Sequence, residues 1–345
     1  MRRFSHVVAA AAVVLLAAAC GSSSSGGDTG SSSAPASDVK VGLAYDVGGR
    51  GDQSFNDSAA RGLDKAKSEL GITAKELEAS NGETDAQKEE RLRLLAQGGY
   101  NPVIAVGFAY ATALGKVADE FPDTKFAIID DSSLKNTNVT SLVFAEEQGS
   151  FLVGVIAANA SKSGTIGFIG GVNTPLLQKF QAGYEAGAKA AKPSIKVLSK
   201  YLSEPPDFSG FNDPAKGKTT AAGMLDDGAD VVYAAAGGSG SGAFEAVAAK
   251  KKWAIGVDSD QYLTAAASVK QYVLTSMLKQ VDVAVFNYIK ADVDGSPLTG
   301  VQTFDLKADG VGFSESNPAV KDYTTGVEDF EKKITDGSLK VPTTP

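Results

Sequence analysis

The chain has 345 residues, 43% of them hydrophobic and 21% charged, with a formal net charge of -8. That is long enough for about two domains with sizeable cores, and too acidic for nucleic acid or an anionic membrane surface as a main partner. The only cysteine is Cys20 and the only histidine is His6, so if the first twenty residues are a leader the body has no thiol and no imidazole, which excludes disulfides, Cys or Ser-His nucleophilic systems and the usual zinc sites.

The N-terminus reads as such a leader. Arg2 and Arg3 precede an apolar run from Val7 to Ala19, too short to span a bilayer comfortably but suited to the core of a signal peptide. It ends in Leu16-Ala17-Ala18-Ala19-Cys20. This resembles the bacterial lipobox, which implies that Cys20 is lipidated and begins the mature chain; Ala17 departs from the Leu usual at its position. Residues 1–19 are therefore expected to be a signal peptide and residues 20–38, mostly Ser and Gly, a flexible tether that cannot bury a core.

From Val39 onward strand and helix patterns alternate. Val39–Tyr45 reads as a strand and Phe55–Leu70 as a helix with Ala59, Leu63, Ala66 and Leu70 on one face, opened by a capping box of Ser54 and Asp57. Strands follow at Thr73–Leu77, Pro102–Val106, Lys125–Ile129 and Val139–Phe144, with helices at Asp85–Gln97 and Ala111–Glu120. The cycle then restarts with helices at Glu147–Ala160, Pro175–Ala191, Asp213–Asp227 and Ala243–Lys251, separated by strands at Gly164–Gly170, Ile195–Tyr201, Asp230–Ala236 and Ala254–Val257. The pattern predicts an α/β protein of two doubly wound parallel-sheet lobes joined by crossover strands, whose strand C-termini face a shared cleft where ligands bind. A helix over Leu278–Lys290 is expected to return the chain to the first lobe, and a last helix near Pro318–Thr335 to close it. This divides the body into an N-terminal lobe of residues 39–144 plus about 277–300 and a C-terminal lobe of 145–276 plus about 301–345.

Several motifs in order resemble one family. Asp46 with Gly48-Gly49 and Asp52-Gln53-Ser54-Phe55-Asn56, then FAIID at Phe126–Asp130, the run Glu146–Ala158, FQAGYEAG at Phe180–Gly187, GFNDPAKGK at Gly210–Lys218, AAGGSGSG at Ala235–Gly242, IGVDSDQ at Ile255–Gln261 and TSMLKQVD at Thr275–Asp282 look like the basic membrane protein (Bmp) family. No single motif is specific; their order and spacing over about residues 39–342 are. The resemblance implies a type I periplasmic-binding-protein-like fold and a purine-nucleoside-binding lipoprotein of an ABC importer, held on the outer face of the cell membrane by its lipid alone, with permease and ATPase supplied by other chains and no cofactor or metal.

The residues at the strand ends fit that expectation. Phe55, a large ring opening a helix after a Gly-rich loop, suits a platform for a base, and Asn56 and Asp46 carry the acceptors and donors its edge needs. Asp130, rather than its neighbour Asp131, is expected to enter the cleft, since adjacent strand residues face opposite ways. Phe211 stands where sugar-binding relatives of this fold carry a stacking Phe, which makes it the expected second platform, with Phe180 and Phe208 as competitors. Gly237 and Gly238 allow bare backbone to approach a ligand, Asp258 can grip two ribose hydroxyls, and Lys279 can donate to the ribose or pair with Asp258. With no Arg in the set and three acids, the layout suits a nucleoside and repels a phosphate.

Other signals carry less. Asn212–Thr219 nearly spells a phosphate loop, but Asn212 stands where its first Gly is required. Asp46, Asp130 and Asp258 lie on separate strands, unlike the clustered carboxylates of a metal-dependent hydrolase, so no enzyme is expected. A pentose ligand, or a ligand-sensing role at the cell surface, would use the same residues.

Overall fold

The computed structural model describes residues 37–80 and 82–345; the signal peptide, Cys20 and all but the last two residues of the tether lie outside them. In chain order, the first half builds β1 (Lys40–Ala44), α1 (Phe55–Leu70), β2 (Thr73–Leu77), α2 (Asp85–Gln97), β3 (Val103–Ala105), α3 (Ala111–Glu120), β4 (Phe126–Ile129) and β5 (Val139–Phe144). The second half builds α4 (Glu146–Ala160), β6 (Thr165–Val172), α5 (Pro175–Ala191), β7 (Lys196–Ser203), α6 (Pro214–Asp226), β8 (Val231–Ala235), α7 (Gly240–Ala249), β9 (Trp253–Asp258), the short α8 (Gln261–Thr264) and β10 (Val273–Lys279). The remaining elements are α9 (Val281–Val293), β11 (Gly300–Phe304), β12 (Val311–Phe313) and α10 (Val327–Thr335).

The described strands form two six-stranded sheets with matching orders, β11-β5-β4-β3-β1-β2 and β12-β10-β9-β8-β6-β7. Every pairing is parallel except that of β10 with β12. Parallel sheets need both faces covered, so their strands are continuous apolar runs: Phe126–Ile129 and Val231–Ala235 are buried throughout. The fold is α/β, two doubly wound lobes.

Three chain crossings link the lobes: β5 into α4, β10 into α9, and β11 into β12. They run side by side, with the Ala145 N–H donating to the Phe304 carbonyl (3.0 Å) and the Gln280 N–H to the Gly310 carbonyl (2.9 Å). The tail differs from expectation here. Val273–Lys279 is a buried strand of the second sheet, the counterpart of β5, and the returning helix begins only at Val281 and packs against α1. Gly300–Phe304 pairs with β5 in the first sheet, not the second lobe as expected of residues from about 301. The expected last helix is a 3-10 turn, Pro318–Tyr323, and then α10, which starts after Gly326.

The start of α1 also departs from the expected capping box. Ser54 makes no side-chain cap. The carboxylate of Asp52 accepts instead, from the backbone N–H groups of Ser54 (2.9 Å), Asn56 (2.9 Å) and Asp57 (3.1 Å), which frees the Ser54 hydroxyl to reach the other lobe.

Candidate ligand-binding site

The C-terminal ends of both sheets meet around one cavity, in which the centre of a water molecule has about 60 Å³ to move. Asp46, Phe55, Asn56 and Asp130 enter it from the first lobe, Phe211, Gly237 and Asp258 from the second, and Lys279 from the second crossing. Gly238 is not on this wall: the 3-10 turn Gly237–Ser239 aims it at the Phe211 carbonyl and the Asn212 side chain. Sequence reasoning missed Asp52, Phe108, Leu176 and Leu177, all of which line the cavity.

On the first-lobe wall, Asn56 acts as a brace. Its Oδ1 accepts from the Asp46 N–H (3.0 Å), and its amide hydrogens go to the Val47 carbonyl (3.3 Å) and Asp52 Oδ2 (3.0 Å). Both of its donors are thus spent within the protein, so Asn56 sets Asp46 and Asp52 in place and has none left for a ligand edge. Asp46 ends its strand against Gly107, whose φ of 105° and bare Cα let the carboxylate lie over it; a Cβ there would overlap Asp46 Oδ2. Burial pushes the carboxyls of Asp46 and Asp52 up to about 6, in the latter case against three backbone donors.

Asp130 and Asp258 occupy equivalent places in the two lobes, each at or just past the end of the fourth strand in chain order, and both are left-handed (φ 69° and 64°). A non-glycine residue in that region is uncommon and clusters at functional sites; here the turn aims both carboxylates at the same ammonium. Lys279, 1% exposed, donates to Asp130 Oδ2 (2.6 Å) and lies 3.2 Å from Glu146 Oε1, not paired directly with Asp258. Asp258 Oδ2 accepts from the Ser54 hydroxyl (2.6 Å), a direct link between the lobes, reinforced by the Ser259 hydroxyl donating to the Ser54 carbonyl (2.7 Å). Burial opposes the Lys279 charge, but Asp130, Glu146 and Asp258 together override it and hold its pKa above the usual lysine range. Burial likewise raises Asp130 and Asp258 against the pull of Lys279. Asp131 turns away, accepting from the N–H and hydroxyl of Ser133 (2.8 Å each).

Aromatic rings surround this charge cluster. The Lys279 ammonium lies 5.1 Å from the Phe55 ring centre, 5.0 Å from Phe144 and 5.6 Å from Phe180, within cation–π range. Phe211 enters from the 3-10 turn Ser209–Phe211, its ring covering Gly171, where a Cβ would overlap it. Phe180 also lines the cavity, whereas Phe208 lies outside it, edge-on to Phe108 at 5.8 Å. The site thus offers flat apolar faces together with the carboxylates of Asp46, Asp52, Asp130 and Asp258 and the Lys279 ammonium.

The Bmp family model, described as ABC transporter substrate-binding proteins that are PnrA-like, matches residues 39–344. The chain belongs to the Bmp family. It is 35% identical to the ABC transporter nucleoside-binding protein BmpA of Lactococcus lactis, covering 91% of this chain and 92% of that protein, and 38% identical to a lipoprotein of Pyrococcus abyssi over 81% of this chain and 69% of the other. Among solved structures, a solute-binding protein of an ABC transporter system from Aeropyrum pernix superposes with a TM-score of 0.77 at 31% identity, covering 88% of this chain and 93% of that one. This Bmp protein is therefore an ABC transporter substrate-binding protein, and its family is one of solute binders. Among the described residues no helix is long and apolar enough to cross a membrane.

The buried acids of the Bmp protein make its stability depend on pH in a defined direction. Asp46 and Asp52 hold their protons to about 6 and Asp130 is raised as well, against about 4 for an unfolded carboxyl. Between those values the folded state binds more protons, so stability falls as pH rises, and the only histidine is His6, outside the body. The melting temperature of the ligand-free protein is expected to rise as pH is lowered from 7 to 5. A melting temperature that climbs with pH across this window in thermal unfolding would contradict the assignment.

Proposed function

We propose that this protein captures a purine nucleoside between its lobes, outside the cell, and delivers it to the permease and ATPase of an ABC importer, tethered to the membrane by lipid on Cys20. The reading is carried by one observation: a single cavity is lined by Phe55 from the first lobe and Phe180 and Phe211 from the second, together with Asp46, Asp258 and Lys279. A base stacks on the rings, Asp46 faces its edge, and Asp258 and Lys279 hold the ribose hydroxyls. A 5′-phosphate projecting past Asp130 would meet three acids, Asp130, Asp131 and Glu146, against two cations already paired with them, Lys179 and Lys279, which opposes nucleotides. The L. lactis relative is named for nucleoside binding and the P. abyssi relative as a lipoprotein; both agree with the leader, the Cys20 motif and the tether read in the sequence.

Titration calorimetry with nucleosides, free bases, ribose and nucleoside monophosphates tests this. Tight binding of nucleosides and little of ribose or monophosphates is expected. Phe55→Ala should weaken nucleosides roughly five- to 150-fold, since a stacked base gains roughly 1–3 kcal/mol. Strong ribose binding with no nucleoside heat would replace this reading with the pentose one.

A further inference from the structure

A second cavity, of about 170 Å³, adjoins the first and shares Asp46 and Val47 with it. Its first-lobe side carries Lys88 on α2, and its second-lobe side Phe208. The Lys88 side chain is 5% exposed, yet among the described residues its ammonium has one distant partner, Asp85 Oδ1 at 3.5 Å, on a carboxylate that is itself 51% exposed. The Phe208 ring lies 5.8 Å away. Of the other charges around this cavity, Glu83 pairs with Arg91, and Asp207 is exposed and accepts from the Ser209 N–H (2.9 Å). A buried ammonium brings three donors, so Lys88 has donors left to give at the end of the site where Asp46 forms the common wall.

An acceptor beside a donor is the complement of one purine edge. A 6-oxopurine presents N1–H and C6=O side by side, which match the Asp46 carboxylate and the Lys88 ammonium; guanine adds a 2-amino N–H for the same carboxylate. Adenine presents the reverse, a bare N1 lone pair toward the carboxylate and amino hydrogens toward the ammonium. Sites built from hydrogen-bonding groups reject the analogue that leaves them unpaired far more strongly than apolar pockets do. We propose that Lys88, acting with Asp46, makes this site select 6-oxopurine nucleosides over adenosine. The inference rests on the nucleoside reading above, with the base at the Asp46 end.

Calorimetry with inosine, guanosine, adenosine and nebularine, the purine riboside with hydrogen at C6, tests it. The wild-type protein should bind inosine and guanosine at least tenfold more tightly than adenosine or nebularine. Lys88→Met should weaken inosine at least tenfold and leave adenosine within threefold. An unchanged inosine-to-adenosine ratio in Lys88→Met would overturn the proposal. So would equal wild-type affinities for inosine and nebularine, a comparison that needs no variant to fold. Nucleosides bound without 6-oxo preference would remove only the role of Lys88, whereas a wild-type protein that binds none of the four would end the nucleoside reading together with this one.

Discussion

Replacing Lys279 with methionine is expected to abolish measurable nucleoside binding, a loss of at least a hundredfold, and to lower stability by about 3–5 kcal/mol. The ammonium is 1% exposed and neutralises a cluster in which Asp130 and Glu146 are 5% and 1% exposed, with Asp258 close enough to bias its titration. Removing it leaves the buried Asp130 and Asp258 without their countercharge and Glu146 with Lys179 alone (3.2 Å), and burial of an unpaired charge is strongly unfavourable. The variant should recover much of its stability as pH is lowered and Asp130 and Asp258, both raised by burial, take up protons, more steeply than the wild type does. Lys279 stands where β10 crosses into α9, so its loss also removes a tie between the lobes. Thermal unfolding against pH, with calorimetry on the same samples, reads both effects; a stable variant with unchanged affinity would remove Lys279 from the site.

Asp258→Asn is expected to weaken nucleosides about a hundredfold while leaving free purine bases within threefold. Asparagine fits the left-handed backbone at this position (φ 64°) and can still accept from the Ser54 hydroxyl, so the fold should survive. What changes is the charge. Two ribose hydroxyls donating to a buried carboxylate are charge-assisted bonds of about 1.5–3 kcal/mol each, and a neutral amide offers one acceptor where the carboxylate offers two. An equal loss for bases and nucleosides would mean that Asp258 acts at the base or only on closure.

The parallel sheets and most elements were legible because buried parallel strands are unbroken apolar runs, as at Phe126–Ile129 and Val231–Ala235. The tail was harder for a physical reason. Leu278, Val281 and Val285 continue a helical spacing backward across Gln280, so the helix seemed to begin inside what is the end of β10. β11 is an edge strand with little burial, and β12 has three residues; neither carries a period that a local pattern could reveal.

The candidate site divides in a similar way. Side chains at strand ends could be found, because topology brings strand C-termini to the cleft. Residues whose role depends on a distant partner could not. Glu146 reads as an acid favouring a helix N-terminus, and only Lys279, arriving from the second crossing, makes it part of the cluster. Lys88 sits in the strongly charged run Asp85–Arg91, which reads as a solvated face; burial comes from the opposite lobe, where Phe208 overlies it. Asn56 was assigned the ligand edge from its chemistry alone, and the bonds that occupy its donors come from the Val47 carbonyl and the Asp52 carboxylate. Asp52 could have been suspected from its place two residues before the helix-opening Ser54.

The most direct measurement is a crystal structure of the protein grown with inosine. The account predicts the base lying against Phe55, with the ribose hydroxyls within hydrogen-bonding distance of Asp258 and Lys279. Inosine bound elsewhere on the molecule, or lodged between the lobes without touching those three residues, would contradict it.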